Sequence, residues 1–166
     1  MNKFHRTRSQ LQERRVAAEL GGHTQAGSGS MPGAKGDVRV NGDVRVECKT
    51  TTKKDYILKL ETIRKIKAEG MAQGFEDWAI QLEFKTQGTK IQFAIMDKYL
   101  AADRGVKFYD GGLLQTPYAS INLSRVYLQI RPSTSVVFDT GTAEHPALTG
   151  VVIIPWAHYL ELRGKK

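Results

Sequence analysis

Two short runs of alternating valines, joined by an Asn-Gly dipeptide, constrain the fold of this chain more than any other feature. The sequence reads Asp-Val-Arg-Val, Asn-Gly, Asp-Val-Arg-Val-Glu from position 37 to 47, so each run has a valine face and a polar face. A two-residue turn would pair Val40 with Asp43 and place the valines of the two strands on opposite faces. A three-residue loop instead pairs the valines with each other, Val40 with Val44 and Val38 with Val46. We therefore expect a bulged β-hairpin with one buried face.

The register that buries the valines also brings two carboxylates together. Asp37 then lies opposite Glu47, and Lys49 points to the same side as Glu47 because side chains two residues apart in a strand share a face. Carboxylates opposite one another are costly unless a cation lies between them. Mg²⁺ is typically held by one or two carboxylates plus substrate phosphates, and a nearby ammonium can steer or deprotonate the attacking water. The hairpin suits phosphodiester hydrolysis, although an ordinary hairpin with solvated charges would show the same pattern.

The segments that flank the hairpin suggest a family. The Gly-Ser-Gly-Ser stretch at 27–30, the string Glu-Cys-Lys-Thr-Thr at 47–51 and residues 61–66 together resemble the PD-(D/E)XK nuclease superfamily. Within it, residues 8–84 look most like the archaeal-type Holliday-junction resolvases and their phage-encoded relatives. The resemblance implies a homodimer that cuts a four-way DNA junction with Mg²⁺, or with Mn²⁺ as a substitute. The implied metal ligands are Asp37, Glu47 and the Cys48 carbonyl, with Glu13 as a further candidate ligand, and Lys49 would position or activate water.

The resemblance also implies catalytic residues outside the hairpin. The resolvases carry a glutamate in their first helix, followed by a basic residue, and Glu13 with the arginine after it matches this pair. Glu19 is the alternative, and Glu13 could also simply edge the apolar stripe of its helix and reach water. A loop serine supports catalysis in the family, and Ser28 and Ser30 both fit. Thr62 stands where the family often has a glutamine, so the chain departs from the family at that position of the catalytic set.

The composition favours a polyanionic partner. The 166 residues carry a formal charge of +8 with a pI near 9.6, a balance that also serves solubility. The basic residues that we expect to contact DNA are Arg6, Arg8, Lys35, Arg39, Arg45, Lys53, Lys54 and Lys59.

Other site types and a membrane location are not expected. Cys48 is the only cysteine and falls on the valine side of its strand, which predicts a buried inert thiol rather than a disulfide. The four histidines have no metal-ligand spacing. Residues 1–15 are basic and polar, and no apolar run approaches the ~18 residues of a membrane helix. We expect a cytoplasmic protein without a membrane partner, in the host cytoplasm if it is phage-encoded.

The order of patterns predicts one α/β domain over 1–166, and the resemblance implies that it is a nuclease domain. It would have a restriction-endonuclease-like central mixed β-sheet flanked by helices and an added β-rich C-terminal part. The expected core is about 8–103, with a helix at 9–20 capped by Ser9, the hairpin, a second helix beginning near Leu60, and strands at 79–84 and 90–95. A β-rich insertion would cover 104–150, with strands near 124–130 and 136–138, and a closing strand and helix would cover 151–162. That closing segment resembles residues 91–100, with Pro155 and Asp97 as the matching helix starts.

The expected function is that of a metal-dependent, structure-selective DNA endonuclease that resolves Holliday junctions. Two alternatives stay open. One is a phage or restriction-like endonuclease that acts on duplex or branched DNA. The other is a catalytically inactive DNA-binding protein with a nuclease-like fold.

Overall fold

A computed structural model of the chain describes residues 3–25, 37–40, 42–86, 88–113, 118–123, 135–139 and 150–164. The helices are α1 (Lys3–Leu20), α2 (Leu60–Ala72), α3 (Lys98–Asp103) and α4 (Trp156–Leu162). The strands are β1 (His23–Thr24), β2 (Val38–Val40), β3 (Val44–Thr51), β4 (Asp55–Lys59), β5 (Asp77–Thr86), β6 (Thr89–Asp97), β7 (Phe108–Leu113), β8 (Tyr118–Asn122), β9 (Ser135–Asp139) and β10 (Val151–Pro155).

A mixed sheet of eight strands organises the fold. Its strand order is β1-β2-β3-β5-β6-β10-β9-β7, and a separate two-stranded ribbon joins β4 to β8. Within the large sheet, β3 and β5 are parallel, as are β7 and β9, and the other neighbours are antiparallel. The parallel pair β3 and β5 is connected through α2, as a parallel connection requires. The predicted α/β class with a mixed central sheet flanked by helices is confirmed.

The hairpin adopts the register that the valines require. Val38 pairs with Val46 and Val40 with Val44, so the two-residue turn is excluded. Gly42 has φ +66°, a left-handed conformation that glycine adopts without strain, and the Asp43 amide donates to the Val40 carbonyl at 3.0 Å. The prediction of a three-residue loop with an unusual backbone conformation is therefore confirmed.

Each face of the sheet carries its own hydrophobic layer. The hairpin valines pack with α1, α3 and α4 on one face, where Val16, Leu20 and Tyr159 are buried. On the other face, α2 and the β4-β8 ribbon cover β5, β6 and β10, with Ile63 and Ile121 buried between them. Alternate residues of β10 enter the two layers, which is why its sequence is apolar throughout.

Several predicted boundaries differ from the structure. The first helix begins at Lys3 rather than at Ser9, and Ser9 is not its N-cap: its hydroxyl donates to Glu13 Oε1 at 2.7 Å from within the helix. The strands predicted at 79–84 and 90–95 extend to the full lengths of β5 and β6. The sequence analysis did not predict β4, which is extended because it pairs along its length with β8.

The added C-terminal part is built into the core. Strands β7 and β9 continue the large sheet beyond β10, and β8 supplies the partner of β4. The strand predicted at 136–138 is β9, whereas the one predicted at 124–130 lies outside the described residues. The two similar strand-helix segments pair as β6 and β10, and each runs into its helix at the predicted residue, Asp97 or Pro155. Among the described helices, none is long and apolar enough to cross a membrane.

Candidate active site

Three carboxylates from separate parts of the chain meet at the open end of the hairpin. Asp37 directly precedes β2, Glu47 lies in β3, and Glu13 lies half-buried on α1. Burial raises the pKa of Asp37 to about 6, with the negative charges of Glu47 and then Glu13 adding to the increase. The Cys48 amide donates to Asp37 Oδ2 at 2.7 Å, which opposes the increase and fixes the carboxylate against β3. The three predicted acidic residues therefore form one electrostatic cluster.

Lys49 supplies the nearest cation to this cluster. Its Nζ lies 2.9 Å from Glu47 Oε1. Burial alone would lower the pKa of Lys49, but the Glu47 carboxylate, followed by Tyr56 and Asp37, raises it above the ordinary value. Lys49 is thus held as an ammonium. Such a group can orient water and stabilise negative charge, but it is a poor acceptor for a proton at neutral pH.

The oxygen donors of the cluster fit a hard divalent cation. Within the described ranges, no group of three or more His, Cys, Asp or Glu side chains is arranged to hold a metal ion by itself. Mg²⁺ does not require such a cage, because it keeps several waters and takes one or two carboxylates together with substrate phosphates. Asp37 and Glu47 meet that smaller requirement, with the neighbouring Cys48 carbonyl as a further oxygen. Glu13 remains a candidate ligand.

The Cys48 thiol takes no part in such a site. It packs on the valine side of β3, as predicted, and burial raises the pKa of the thiol far above its usual value. A thiol that stays protonated is a weak ligand for a hard cation. Only the main-chain carbonyl of Cys48 is a plausible ligand.

Gln12 supports the cluster, although the sequence analysis did not single it out. Its carboxamide is 4% exposed and donates to the Lys49 carbonyl at 3.1 Å and to Gln81 Oε1 at 2.6 Å. It also accepts a hydrogen bond from the Thr50 hydroxyl at 2.8 Å. Gln12 therefore fixes the main chain of β3 at Lys49. A signal was present in the sequence, because Gln12 is a polar residue four positions before Val16 on the buried stripe of α1.

Arg45 is a correction to the predicted DNA-contact surface. The residue is 1% exposed, and its guanidinium donates to Glu69 Oε2 at 2.6 Å and to the Ile66 carbonyl at 3.4 Å. It also lies 4.0 Å from Glu47 Oε2. The polar face of the hairpin is covered by α2, so the charge of Arg45 is neutralised inside the protein and does not reach DNA. Its cross-strand neighbour Arg39 is half-buried, with its guanidinium 5.7 Å from the centre of the Phe75 ring.

The remaining predicted residues fall into three groups. Lys53, Lys54 and Lys59 are exposed at the two ends of β4, as a surface contact with DNA requires. Arg6 and Arg8 belong to α1. Ser28, Ser30 and Lys35 lie outside the described residues.

Glu19, the alternative to Glu13, is not part of the cluster. Its carboxylate accepts a hydrogen bond from Trp156 Nε1 at 2.7 Å and lies 3.6 Å from Arg15. It therefore links α1 to α4 instead of facing Asp37. Glu13 is the glutamate of α1 that lies close enough to raise the pKa of Asp37.

Comparison with known proteins adds no relative. No protein-family model, curated protein or solved structure matches this chain. Its assignment to the PD-(D/E)XK superfamily thus stays a prediction that rests on its own residues and on the site that they build.

Proposed function

We propose that this chain is a metal-dependent, structure-selective DNA endonuclease that resolves four-way junctions in the cytoplasm. The convergence of Asp37, Glu47 and Glu13 beside Lys49 carries the proposal. A buried carboxylate that is repelled by two others destabilises a fold, and such an arrangement is more often found at functional sites than elsewhere. A bound cation would offset the repulsion among these carboxylates, so a cation-binding role accounts for their arrangement.

The chain's own residues divide the work of phosphodiester hydrolysis. Asp37, Glu47 and the Cys48 carbonyl would hold Mg²⁺ or Mn²⁺, with Glu13 as a further ligand or as a hydrogen-bond acceptor for water. The chemistry that such an ion supplies when bound is polarisation of the phosphate and stabilisation of the charge on the leaving oxygen. Lys49, held as an ammonium by Glu47, orients the attacking water and offsets the negative charge that builds up on the phosphate.

The substrate and assembly parts of the proposal rest on charge and symmetry. A formal charge of +8 and the exposed Lys53, Lys54 and Lys59 favour contact with DNA phosphates. Resolution of a junction needs two nicks of matching polarity, and a C2 homodimer would supply them from two equivalent sites. The resemblance of the sequence to junction resolvases supports this substrate over ordinary duplex DNA.

One observation favours a second candidate. In an inactive DNA-binding protein with a nuclease-like fold, Lys49 would simply neutralise Glu47 through their 2.9 Å ion pair. The surroundings of Asp37 argue against that candidate, because an ion pair between Lys49 and Glu47 does not account for a buried carboxylate that Glu47 and Glu13 repel.

A cleavage assay separates these functions. The protein is incubated with a labelled four-way junction and, separately, with a matched linear duplex, in Mg²⁺, Mn²⁺, Ca²⁺ or EDTA. We expect paired nicks in the junction with Mg²⁺ or Mn²⁺, binding without comparable turnover in Ca²⁺, and no cleavage in EDTA. Light scattering should give the mass of a dimer. Equal cleavage of both DNAs by a monomer would replace the resolvase by a general endonuclease, and binding without cleavage in every metal would favour the inactive DNA-binding protein.

A further inference from the structure

A small open groove adjoins the candidate active site between the first half of α1 and the carboxyl-terminal ends of β3 and β5. Its volume is about 270 Å³. Besides the Cys48 thiol, its lining consists of Ser9, Gln12, Lys49, Thr50, Thr52 and Lys85. Two hydrogen bonds connect it to the carboxylate cluster, from Ser9 to Glu13 and from the Cys48 amide to Asp37.

The lining of the groove is suited to an anion. It contains no carboxylate. The Lys49 ammonium is paired with Glu47, and the hydroxyls of Ser9 and Thr50 already donate to Glu13 and Gln12. Lys85 and the Thr52 hydroxyl are therefore the lining groups that can contact an anion.

The acidic residue paired with Lys85 is Glu83, which is completely buried and whose negative charge is already neutralised. Its carboxylate is bound by Arg15 at 2.7 Å, Gln92 at 2.9 Å and Lys85 at 3.1 Å. Arg15 also lies 3.6 Å from Glu19, so the charges of this group balance, and Lys85 is the cation of the group that borders the groove.

The floor of the groove is a buried polar layer, which is unusual for a mere surface depression. Gln12 is held by its bonds to Lys49, Thr50 and Gln81, so its position is fixed before anything binds. Gln81 is fully buried, and its Nε2 has no hydrogen-bond partner among the described residues. A buried polar group of this kind is costly and calls for an explanation. A rigid polar floor beside the active site is suited to ligand positioning.

We propose that this groove binds one phosphate group of the DNA strand, and that this phosphate is next along the backbone to the phosphate that is cleaved. Lys85 and the hydroxyl of Thr52 contact its oxygens. Gln12 lies in the same groove and bonds to the Lys49 carbonyl, so it fixes the position of the bound phosphate relative to Lys49. The inference rests on the proposed function and adds to it a second phosphate contact that places the strand across the carboxylate cluster.

A binding experiment on the full chain tests this contact without any cleavage. The affinity for a labelled four-way junction is measured in EDTA over a range of salt concentrations for the wild type, Lys85→Gln and Thr52→Val. Lys85→Gln leaves Glu83 with Arg15 and Gln92, so the fold should persist. The matched control is Lys107→Gln, an exposed lysine before β7 at the far edge of the sheet.

The salt slope gives the answer. Removal of one phosphate contact should weaken binding and reduce the slope of log K against log salt by about one for Lys85→Gln, with no change for Lys107→Gln. Thr52→Val should weaken binding with the slope unchanged, because it removes a neutral contact. Unchanged affinity and slope in both groove variants would overturn the groove assignment and leave the nuclease proposal standing. Failure of the wild type to bind DNA would overturn both.

Free phosphate is the other source of the same chemistry. Inorganic phosphate replaces chloride at constant ionic strength while DNA binding is followed. The proposal predicts little displacement of the DNA, since a single free anion lacks the other backbone contacts. Binding of phosphate to the wild type but not to Lys85→Gln, with the same DNA affinity and salt slope in both proteins, would assign the groove to free phosphate and overturn the proposal.

Discussion

Replacement of Asp37 by asparagine should stabilise the metal-free protein at neutral pH. The wild-type carboxylate is buried opposite Glu47 and close to Glu13, and these surroundings raise its pKa to about 6. Asparagine has nearly the same shape, carries no charge, and can still accept the hydrogen bond from the Cys48 amide. The substitution therefore removes the repulsion and keeps the contact that holds the residue in place.

The size and sign of the effect follow from proton linkage. The folded state binds the Asp37 proton more tightly than the unfolded state, in which the pKa of Asp37 is 3.8. The stabilisation of the fold that comes from this tighter proton binding is therefore fully present below about pH 4 and is lost as the pH rises through about 6. The difference between these two values corresponds to roughly 3 kcal/mol. We expect Asp37→Asn to be more stable than wild type by up to that amount at neutral pH, and nearly equal to it near pH 4.

Urea unfolding in EDTA measures this difference. The free energy of unfolding of wild type and Asp37→Asn is determined by circular dichroism at neutral pH and near pH 4. Asp103→Asn is the control, because it makes the same chemical change at an exposed position on α3 and should shift stability by no more than about 0.5 kcal/mol. Equal or lower stability of Asp37→Asn at neutral pH would refute the repulsion on which the site is built.

Four further outcomes follow from the same structure. Mg²⁺ at about 100 times its Kd should stabilise the wild type by about 2.7 kcal/mol, and a thermal shift that is the same in Glu47→Gln would contradict the assigned ligands. Lys49→Ala should lose most cleavage while it keeps most DNA affinity, as gel shifts and product analysis can establish. Arg45→Ala should lower the free energy of unfolding by up to about 3–5 kcal/mol, because it empties a buried site and removes the ion pair with the half-buried Glu69, and a variant of wild-type stability with a smaller salt slope would restore Arg45 to the DNA surface. Gln12→Leu should cost about 1–3 kcal/mol for each buried group left unpaired, measured by urea unfolding.

The hairpin could be predicted because its information is local. Alternating valines define the buried face, and only one loop length puts Val40 opposite Val44. The same register brought Asp37 near Glu47, so the centre of the candidate site followed from a stretch of about a dozen residues. Strand β10 and helix α4 could also be predicted, since a continuous apolar run that ends at Pro155 has few other solutions.

The features that were missed depend on distant parts of the chain. The polar face of the hairpin looks solvent-exposed in the sequence, but α2 covers it and Glu69 neutralises Arg45 there. Strand β4 forms because β8 pairs with it. Even the pair with the smallest separation, Lys59 with Tyr118, has 58 residues between its members, so the sequence around Tyr56 carries no local signal of that partner. The start of α1 was misplaced because Ser9 is a good N-cap residue, yet its hydroxyl binds Glu13 within the helix.

Single-turnover cleavage by preassembled complexes tests the central claim most directly. Wild type and Glu47→Gln are bound to a labelled four-way junction in EDTA, excess Mg²⁺ is added, and the nicked products are followed in time. Glu19→Gln serves as the control, since Glu19 bonds to Trp156 away from the cluster. The account predicts rapid paired nicking by wild type and by the control, and loss of nearly all cleavage in Glu47→Gln with the complex intact. Cleavage by Glu47→Gln at the wild-type rate would contradict it.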